Sequence, residues 1–223
     1  ANGRFGFSAK NTLGLAQALY EKHKVLTYPR TDSRHLPEDY IGTVKSTLEA
    51  LAETNNYNQF AKQITKNGWV KPNKRIFDNT KISDHFAIIP TGVVPKNLSE
   101  PEQKLYDLVT RRFLAVFFPA AEFLVTTRYT EVSGHQFKTE GKVMTNPGWM
   151  AVYGKDLGDD KDGANLVPVA KGEKVLTDKV TANGLVTKPP ARYNEATLLS
   201  AMEGAGKLVD SDELRDAMAG KGL

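Results

Sequence analysis

Cysteine is absent from the 223-residue sequence. Its absence excludes disulfide bonds, thiolate catalysis and cysteine-ligated zinc within these residues, and it agrees with a reducing, cytoplasmic setting. No apolar run approaches the length that spans a bilayer, and no basic-then-apolar leader opens the sequence, so we expect neither membrane insertion nor export. With 40% hydrophobic and 25% charged residues, the composition is that of a globular protein with one large domain or two small ones.

Positive charge is concentrated in the first half of the chain. Residues 1–118 contain 17 Lys and Arg against 11 Asp and Glu, whereas residues 119–223 contain 13 against 15. A basic segment of this kind favours a polyanionic partner such as nucleic acid. A solvated, lysine-rich surface is the alternative, and charge alone favours that alternative.

Hydrophobic periodicity predicts helices in the first half of the chain and strands in the second. Helices are predicted over residues 11–22, 37–51, 57–64 and 100–117, and an extended stretch over 25–28 ends at Pro29. Ser99 and Glu102 form a capping box before the last of these helices. Period-two patterning predicts strands over 123–131, 136–144, 174–181 and 185–188, with a turn at Ser133-Gly134 and an exposed acidic loop over 154–163. A further helix, capped by Asn194 or Thr197, is predicted near the end of the chain.

These elements predict an α+β fold in three parts. Residues 1–118 are expected to form a winged-helix (CAP-like) domain, residues 119–187 a β-rich domain, and residues 188–223 the start of a helical domain. The sequence begins without Met and stops soon after a predicted helix. We therefore expect it to be a piece of a longer protein.

The segment Thr27-Tyr28-Pro29-Arg30-Thr31-Asp32-Ser33 contains residue types suited to attack on phosphorus. A tyrosine phenol ionises near pH 10, so at neutral pH it needs cationic help to act as a nucleophile. Arg30 can supply that help through a forked pair of hydrogen bonds to a phosphate. A Tyr-Pro turn with polar surface neighbours is the alternative, and the residue chemistry alone favours it.

Two other segments contain candidate phosphate ligands. His85 lies between a polar pair and an apolar run, and an imidazole there can donate to a phosphate oxygen or transfer a proton. Arg192 and Tyr193 precede a predicted helix N-terminus, where free N–H groups favour an anion. The alternatives are a surface histidine before a core strand and a capped helix after a linker.

A basic stretch with interleaved aromatic residues lies between positions 62 and 81. Cations for phosphates and aromatic rings for base stacking suit single-stranded nucleic acid. Its members are Lys62, Lys66, Trp69, Lys71, Lys74, Arg75, Phe77 and Lys81. A solvated loop with two buried aromatic rings explains the pattern equally well.

Taken in order, these segments resemble the motifs of the type IA DNA topoisomerases. Phe7-Ser8-Ala9-Lys10, Leu19-Tyr20-Glu21 and the Tyr28 segment together resemble the family's active-site tyrosine region. The Tyr-Pro-Arg sequence at positions 28–30 is similar to that of topoisomerase III. Residues 85–91 resemble the family's second signature and residues 189–197 its third, so the resemblance covers most of the chain.

The resemblance implies a mechanism and roles for particular residues. Tyr28 would attack a phosphodiester of single-stranded DNA, hold the 5′-phosphate as a phosphotyrosine and release a 3′-hydroxyl. Strand passage, relaxation, decatenation and resealing would then need no ATP. Arg30 and His85 would bind the scissile or a neighbouring phosphate, supported by Thr31 and by Asp32, which would orient Arg30 or His85. Arg192 would hold the strand upstream. The other predicted DNA-binding side chains are Lys10, Tyr193 and, from the basic stretch, Trp69, Lys71, Lys74 and Arg75.

The resemblance also implies what lies elsewhere in the parent enzyme. The family's Mg²⁺ site and catalytic lysine belong to an N-terminal Toprim domain, which nothing here matches. Asp210-Ser211-Asp212 has suitable spacing but lies at a predicted helix cap. We therefore expect no metal site in this chain, an incomplete β-rich domain and no activity of the chain alone.

The parent enzyme would be a cytoplasmic, nucleoid-associated protein. Its partners would be single-stranded DNA, a RecQ-type helicase and a single-strand-binding protein, with no membrane involved. A non-catalytic winged-helix module that binds single-stranded DNA is the first alternative. A protein-interaction scaffold is the second.

Overall fold

The computed structural model describes residues 1–154, 166–205 and 211–214. Within these ranges the chain is a mixed α/β structure with a small two-stranded sheet, in agreement with the predicted α+β class. The helices are α1 (Asn2–Phe5), α2 (Ala9–Glu21), α3 (Ile41–Ala52), α4 (Asn58–Lys66), α5 (Glu100–Ala115) and α6 (Glu195–Glu203). The strands are β1 (Glu122–Val132) and β2 (His135–Asn146), and short 3₁₀ helices occupy Glu38–Tyr40, Asn79–Lys81 and Gly148–Tyr153. In the described ranges, none of the helices has the length and apolar content to cross a bilayer.

Helices α2 to α5 enclose one hydrophobic core. Each helix buries apolar residues three or four positions apart, as expected for amphipathic helices on a shared core. The buried members include Ala16 and Leu19 of α2, Val44, Leu48 and Leu51 of α3, Phe60, Ala61 and Ile64 of α4, and Leu105, Tyr106, Phe113 and Leu114 of α5. The four long helices predicted in this half are therefore confirmed, with small shifts at their ends.

The start of α5 is fixed by the predicted capping box. The carboxylate of Glu102 accepts hydrogen bonds from the Ser99 backbone N–H at 2.8 Å and from the Ser99 hydroxyl at 2.7 Å. These bonds hold the pKa of Glu102 below its ordinary value. Its other oxygen lies 3.2 Å from Nε2 of His23, just past the end of α2. The contact ties α5 to the helix that precedes Tyr28.

A polar network joins the helices to the 3₁₀ helix Gly148–Tyr153, which follows the strand hairpin. The Tyr57 hydroxyl donates to Asp107 at 3.1 Å, and Nε of Arg111 lies 2.9 Å from both Asp107 oxygens. Arg111 also donates to the Val152 carbonyl at 2.6 Å. Burial raises the pKa of Tyr57, so its phenol stays protonated and remains a donor.

The hairpin of β1 and β2 forms around the predicted turn at Ser133 and Gly134. The strands pair antiparallel from Val132–His135 at the turn, and both turn residues, Ser133 and Gly134, adopt positive φ angles of 48° and 78°. A two-residue loop with positive φ at both positions matches the twist of the flanking strands. At the far end, Gly148 comes so close to Ala120 that a Cβ atom there would lie 2.4 Å from the Ala120 carbonyl oxygen. Glycine is therefore required where the hairpin returns to the helical core.

Two predicted strands are wrong. Residues 174–181 and 185–188 have an alternating pattern, but the described chain from 166 to 193 contains neither helix nor strand. Leu176 is 97% exposed and Leu185 is 90% exposed. Alternation becomes a strand only where a neighbouring strand takes up its hydrogen bonds, and the described residues supply none for this segment.

Other predicted elements have mixed outcomes. The stretch 25–28 forms a single bridge, Leu26 with Pro90, in place of a regular strand. Asn194 caps α6 as predicted, its side chain accepting from the Thr197 N–H at 2.9 Å. Residues 155–163 of the predicted acidic loop lie outside the described residues.

Candidate active site around Tyr28

Two segments, residues 24–36 and 76–91, lie side by side and form the site. The antiparallel bridge from Leu26 to Pro90 joins them at one end, and the parallel bridge from Leu36 to Phe77 joins them at the other. All four bridging residues are buried, with Leu26 and Phe77 only 1% and 2% exposed. The residues between the two anchors therefore emerge from the core as a pair of short surface loops.

Side-chain hydroxyls connect the two segments between these anchors. Thr31 donates to the carbonyl of His85 at 2.7 Å and accepts from the Ser33 N–H at 3.0 Å. Ser33 in turn donates to the carbonyl of Lys81 at 2.8 Å. Each hydroxyl donates to a carbonyl of the other segment and accepts from a backbone N–H of its own segment. These bonds hold the two loops together without a regular sheet.

The ring of Tyr28 packs against two other rings. Its centroid lies 4.3 Å from that of His85, with the planes inclined at 45°. The ring of Tyr20, in the last turn of α2, packs edge-on against it at 5.4 Å and 81°. Tyr28 is half-buried, while His85 is exposed. The fold thus brings the predicted nucleophile into contact with the predicted phosphate-binding histidine.

A small polar pocket of about 220 Å³ is lined by His85, the residue whose ring contacts Tyr28, whereas Tyr28 itself does not line it. Its lining combines the predicted residues with two neighbours of His85: Arg30, Thr31, Asp32, Ser83, Asp84 and His85. The carboxylate of Asp32 accepts from the Ser83 hydroxyl at 3.2 Å. Arg30 is exposed and, in the part of the chain that the structure describes, takes part in no ion pair. The pocket therefore offers a free guanidinium and an imidazole to an anion arriving from solvent.

Comparison with known proteins decides the family. A family model described as DNA topoisomerase matches residues 1–207. The chain is 45% identical over 220 residues to DNA topoisomerase 3 of Bacillus subtilis strain 168, covering 96% of this chain and 30% of that protein. The chain belongs to the DNA topoisomerase family.

Further relatives give the same family. DNA topoisomerase 3 of Bacillus cereus strain ATCC 14579 is 43% identical, covering 100% of this chain and 31% of that protein. The predicted resemblance to type IA enzymes of the topoisomerase III kind is thus confirmed. The chain spans about a third of the length of the curated relatives that it matches. Full-length topoisomerase I from Thermotoga maritima shares the fold, with a TM-score of 0.58 at 22% identity over 92% of this chain and 33% of that one.

The acidic residues that the structure describes in this topoisomerase chain do not fit a complete metal site. Among the described residues there is no group of three or more His, Asp or Glu side chains that could hold a metal ion. Asp32 and Asp84 line the pocket only as a pair. Asp210, part of the Asp-x-Asp spacing noted in the sequence, lies outside the described residues.

Three of the predicted DNA-binding residues flank the junction of two helix N-termini. The carboxylate of Glu195, in the first turn of α6, accepts from the Ala9 N–H of α2 at 2.6 Å. Lys10 follows directly on α2, and exposed Arg192 and Tyr193 precede α6. Since α2 rises about 1.5 Å per residue, this patch lies about 15 Å along α2 from Tyr20, whose ring contacts that of Tyr28.

The basic stretch between 62 and 81 divides into free and engaged residues. Lys71 and Arg75 are exposed, but Lys74 pairs with Glu38 and lies 3.9 Å from Asp78. Trp69 is half-buried and packs edge-on against Phe118 at 4.9 Å. Phe77 is 2% exposed in the core, so the idea that DNA bases stack on it is wrong.

The structure gives contacts to three residues for which the sequence predicts no role. The ring of Tyr20 contacts the ring of Tyr28. The hydroxyls of Thr27 and Ser83 form hydrogen bonds between the two segments. Two sequence signals point to Tyr20, namely its place in the Leu19-Tyr20-Glu21 part of the active-site motif and the end of its helix a few residues before Tyr28.

Proposed function

We propose that this chain carries the strand-cleaving tyrosine of a type IA DNA topoisomerase III and that Tyr28 is that tyrosine. The observation that carries the proposal is the contact of the Tyr28 ring with the His85 ring at the edge of an open pocket that Arg30 also lines. Family membership supports DNA as the substrate.

The proposed step is a transesterification on single-stranded DNA. The phenolic oxygen of Tyr28 bonds to phosphorus while the bond from phosphorus to the 3′-oxygen breaks. The phenol proton is lost, the 3′-oxygen gains a proton, and the 5′-phosphate stays on the protein. Arg30 stabilises the charge that develops on the phosphate oxygens, and His85 donates to the same or a neighbouring phosphate. The tyrosine ester retains the bond energy, so the reverse attack reseals the strand without ATP.

These steps are assigned to Tyr28, Arg30 and His85, and no step is assigned to Mg²⁺. The described acidic residues do not make a complete site. We assign the Mg²⁺ of the parent enzyme, and the groups that bind it, to the remainder of the longer protein. We expect the 223-residue chain by itself neither to relax nor to decatenate DNA, with or without added Mg²⁺.

The domain division belongs to the same proposal. Residues 1–118 form the winged-helix catalytic part, residues 119–187 a β-rich part completed by other segments of the protein, and residues 188–223 the start of a helical DNA-binding part. The strand would run from the Lys10, Arg192 and Tyr193 patch toward Tyr28. Lys71 and Arg75 would contact its backbone, and Lys74, already paired with Glu38, would contribute less.

The setting of the parent enzyme follows from its substrate. We propose that it works in the cytoplasm at the nucleoid. There a RecQ-type helicase would generate single strands, and a single-strand-binding protein would share them.

The test is covalent trapping by the full-length protein. A single-stranded oligonucleotide is labelled downstream of the break, and the reaction is stopped with denaturant. Wild type retains the label on protein, and Tyr28→Phe, which lacks only the hydroxyl, binds DNA but retains none. Tyr20→Phe is the matched control, because it removes a hydroxyl from the neighbouring ring, and it forms the adduct.

The opposite result has a clear meaning. An adduct formed by Tyr28→Phe refutes the assignment of the nucleophile. Normal DNA binding without any adduct in the wild type favours the non-catalytic single-stranded DNA-binding module instead.

A further inference from the structure

We propose that Thr27 is a positioning residue that sets the direction of the Tyr28 ring. Its hydroxyl takes the place of a backbone carbonyl in the pairing with residues 87–89 and so ends the pairing just before Tyr28. This inference rests on the proposed role of Tyr28 as nucleophile.

The hydrogen bonds around Thr27 depart from a regular antiparallel pair. With Leu26 opposite Pro90, Thr27 stands opposite Ile89, and such a pair normally exchanges two backbone bonds. One is present, from the Thr27 N–H to the Ile89 carbonyl at 3.0 Å. The other is replaced, because the Ile89 N–H donates to the Thr27 hydroxyl at 2.9 Å.

The same hydroxyl also donates its own proton across the site. It bonds the carbonyl of Ala87 at 3.2 Å, two residues beyond His85. A single side chain thus holds the residue before Tyr28 to backbone groups two and four residues after His85. The chain then leaves the pairing at Tyr28, and Pro29, which has no N–H to donate, cannot resume it.

The consequence is the ring geometry at the site. The Tyr28 and His85 centroids are 4.3 Å apart, and the attack on phosphorus depends on this placement. Without the hydroxyl, the Ile89 N–H and the Ala87 carbonyl would each lose a partner. The two loops would then be free to separate, and the phenolic oxygen of Tyr28 would no longer be held in one position relative to His85.

Thr91 offers a matched control in the same two segments. Its hydroxyl donates to the Lys24 carbonyl at 2.6 Å, again from one segment to the other. It lies on the far side of the bridge from Leu26 to Pro90 relative to Tyr28. Thr91→Val therefore removes a comparable cross-segment bond without releasing the backbone next to the nucleophile.

The experiment compares Thr27→Val, Thr27→Ser and Thr91→Val in the full-length protein, with Mg²⁺ present. Single-turnover cleavage of an end-labelled single-stranded oligonucleotide is measured at saturating DNA, and Kd is measured by fluorescence anisotropy. We expect Thr27→Val to slow cleavage about 10- to 100-fold with an unchanged Kd. Thr27→Ser, which keeps the hydroxyl, restores the rate, and Thr91→Val cleaves like wild type. If the valine variant does not fold, Thr27→Cys gives the same test, because the cysteine thiol is only a weak hydrogen-bonding group.

Three results would overturn the inference: wild-type cleavage by Thr27→Val, equal slowing by Thr91→Val, or slow cleavage by Thr27→Ser. Measuring Tyr28→Phe in parallel separates this inference from the proposed function of Tyr28 as the nucleophile. If Tyr28→Phe forms no adduct while Thr27→Val cleaves normally, only the role of Thr27 fails. If Tyr28→Phe still forms the adduct, the proposed function fails.

Discussion

Replacing Arg30 measures how much the pocket contributes to phosphate activation. Arg30 lines the pocket with His85, and among the described residues it makes no ion pair. Arg30→Ala therefore breaks no ion pair among the described residues, and in the proposed mechanism its effect falls on the bound phosphate. Loss of a charge-assisted, forked contact costs about 2–4 kcal/mol in the transition state, which is about 30- to 1000-fold in rate.

The substitution Arg30→Lys separates charge from geometry. Lysine keeps the positive charge but presents a single ammonium in place of the planar fork, so we expect an intermediate rate. The assay is the initial rate of adduct formation by the full-length protein at saturating single-stranded DNA. Arg112→Ala is the control, since Arg112 is exposed on α5 and outside the pocket.

Two results would refute this account of Arg30. Adduct formation at the wild-type rate by Arg30→Ala would remove the guanidinium from the chemistry. An equal loss in Arg112→Ala would mean that general positive charge, and not the pocket, accounts for the effect.

Three further predictions concern the site, the fold and the DNA. His85→Ala should slow adduct formation less than Arg30→Ala in the same assay, because it removes one hydrogen bond and not a forked, charged pair of bonds. A slower rate in His85→Ala than in Arg30→Ala would reverse the two proposed roles. Glu102→Ala should lower the melting temperature of the chain by about 4–8 °C, from about 2 kcal/mol of lost capping and hydrogen bonding, while Glu100→Ala should change it little. The bonds to Ser99 lower the pKa of Glu102, so the difference in melting temperature between wild type and Glu102→Ala should shrink as the pH falls from about 5 to about 3. Thermal scans in which that difference grows would contradict the assignment. The chain should bind single-stranded DNA in preference to duplex, and anisotropy titrations should show affinity falling steeply with salt.

Local chemistry predicted the elements whose determinants lie within a few residues. The Ser99 and Glu102 capping box, the Ser133-Gly134 turn and the Asn194 cap all occur as expected, because each depends on hydrogen bonds or φ angles inside one short segment. The helical stripes were equally predictable, since their period of burial is visible in the sequence.

Elements that depend on distant partners were not predictable in this way. The strands expected at 174–181 and 185–188 are absent because alternation does not specify a neighbouring strand. Phe77 lies among basic residues, as an aromatic residue that stacks on DNA bases would, yet it forms a bridge with Leu36 and is buried in the core. Whether an aromatic ring is buried depends on contacts that the local sequence does not contain.

The candidate site lies between these two cases. Tyr28, Arg30 and His85 were selected because their motifs resemble a family, since the residue types alone favoured ordinary surface roles. The contact between Tyr28 and His85 lies beside cross-segment bonds made by Thr27 and Thr31, which no periodicity reveals. The motifs therefore selected the candidate residues and the fold accounts for the contact of Tyr28 with His85, while the roles of these residues stay a prediction.

The most direct test of the central claim is to identify the amino acid that carries the DNA. The adduct formed by the full-length protein on a single-stranded oligonucleotide is digested with nuclease and protease, and the modified peptide is sequenced by mass spectrometry. We predict a nucleotide joined through its 5′-phosphate to the phenolic oxygen of Tyr28. A nucleotide on the neighbouring Tyr20, on any other residue, or joined through a 3′-phosphate would contradict the account.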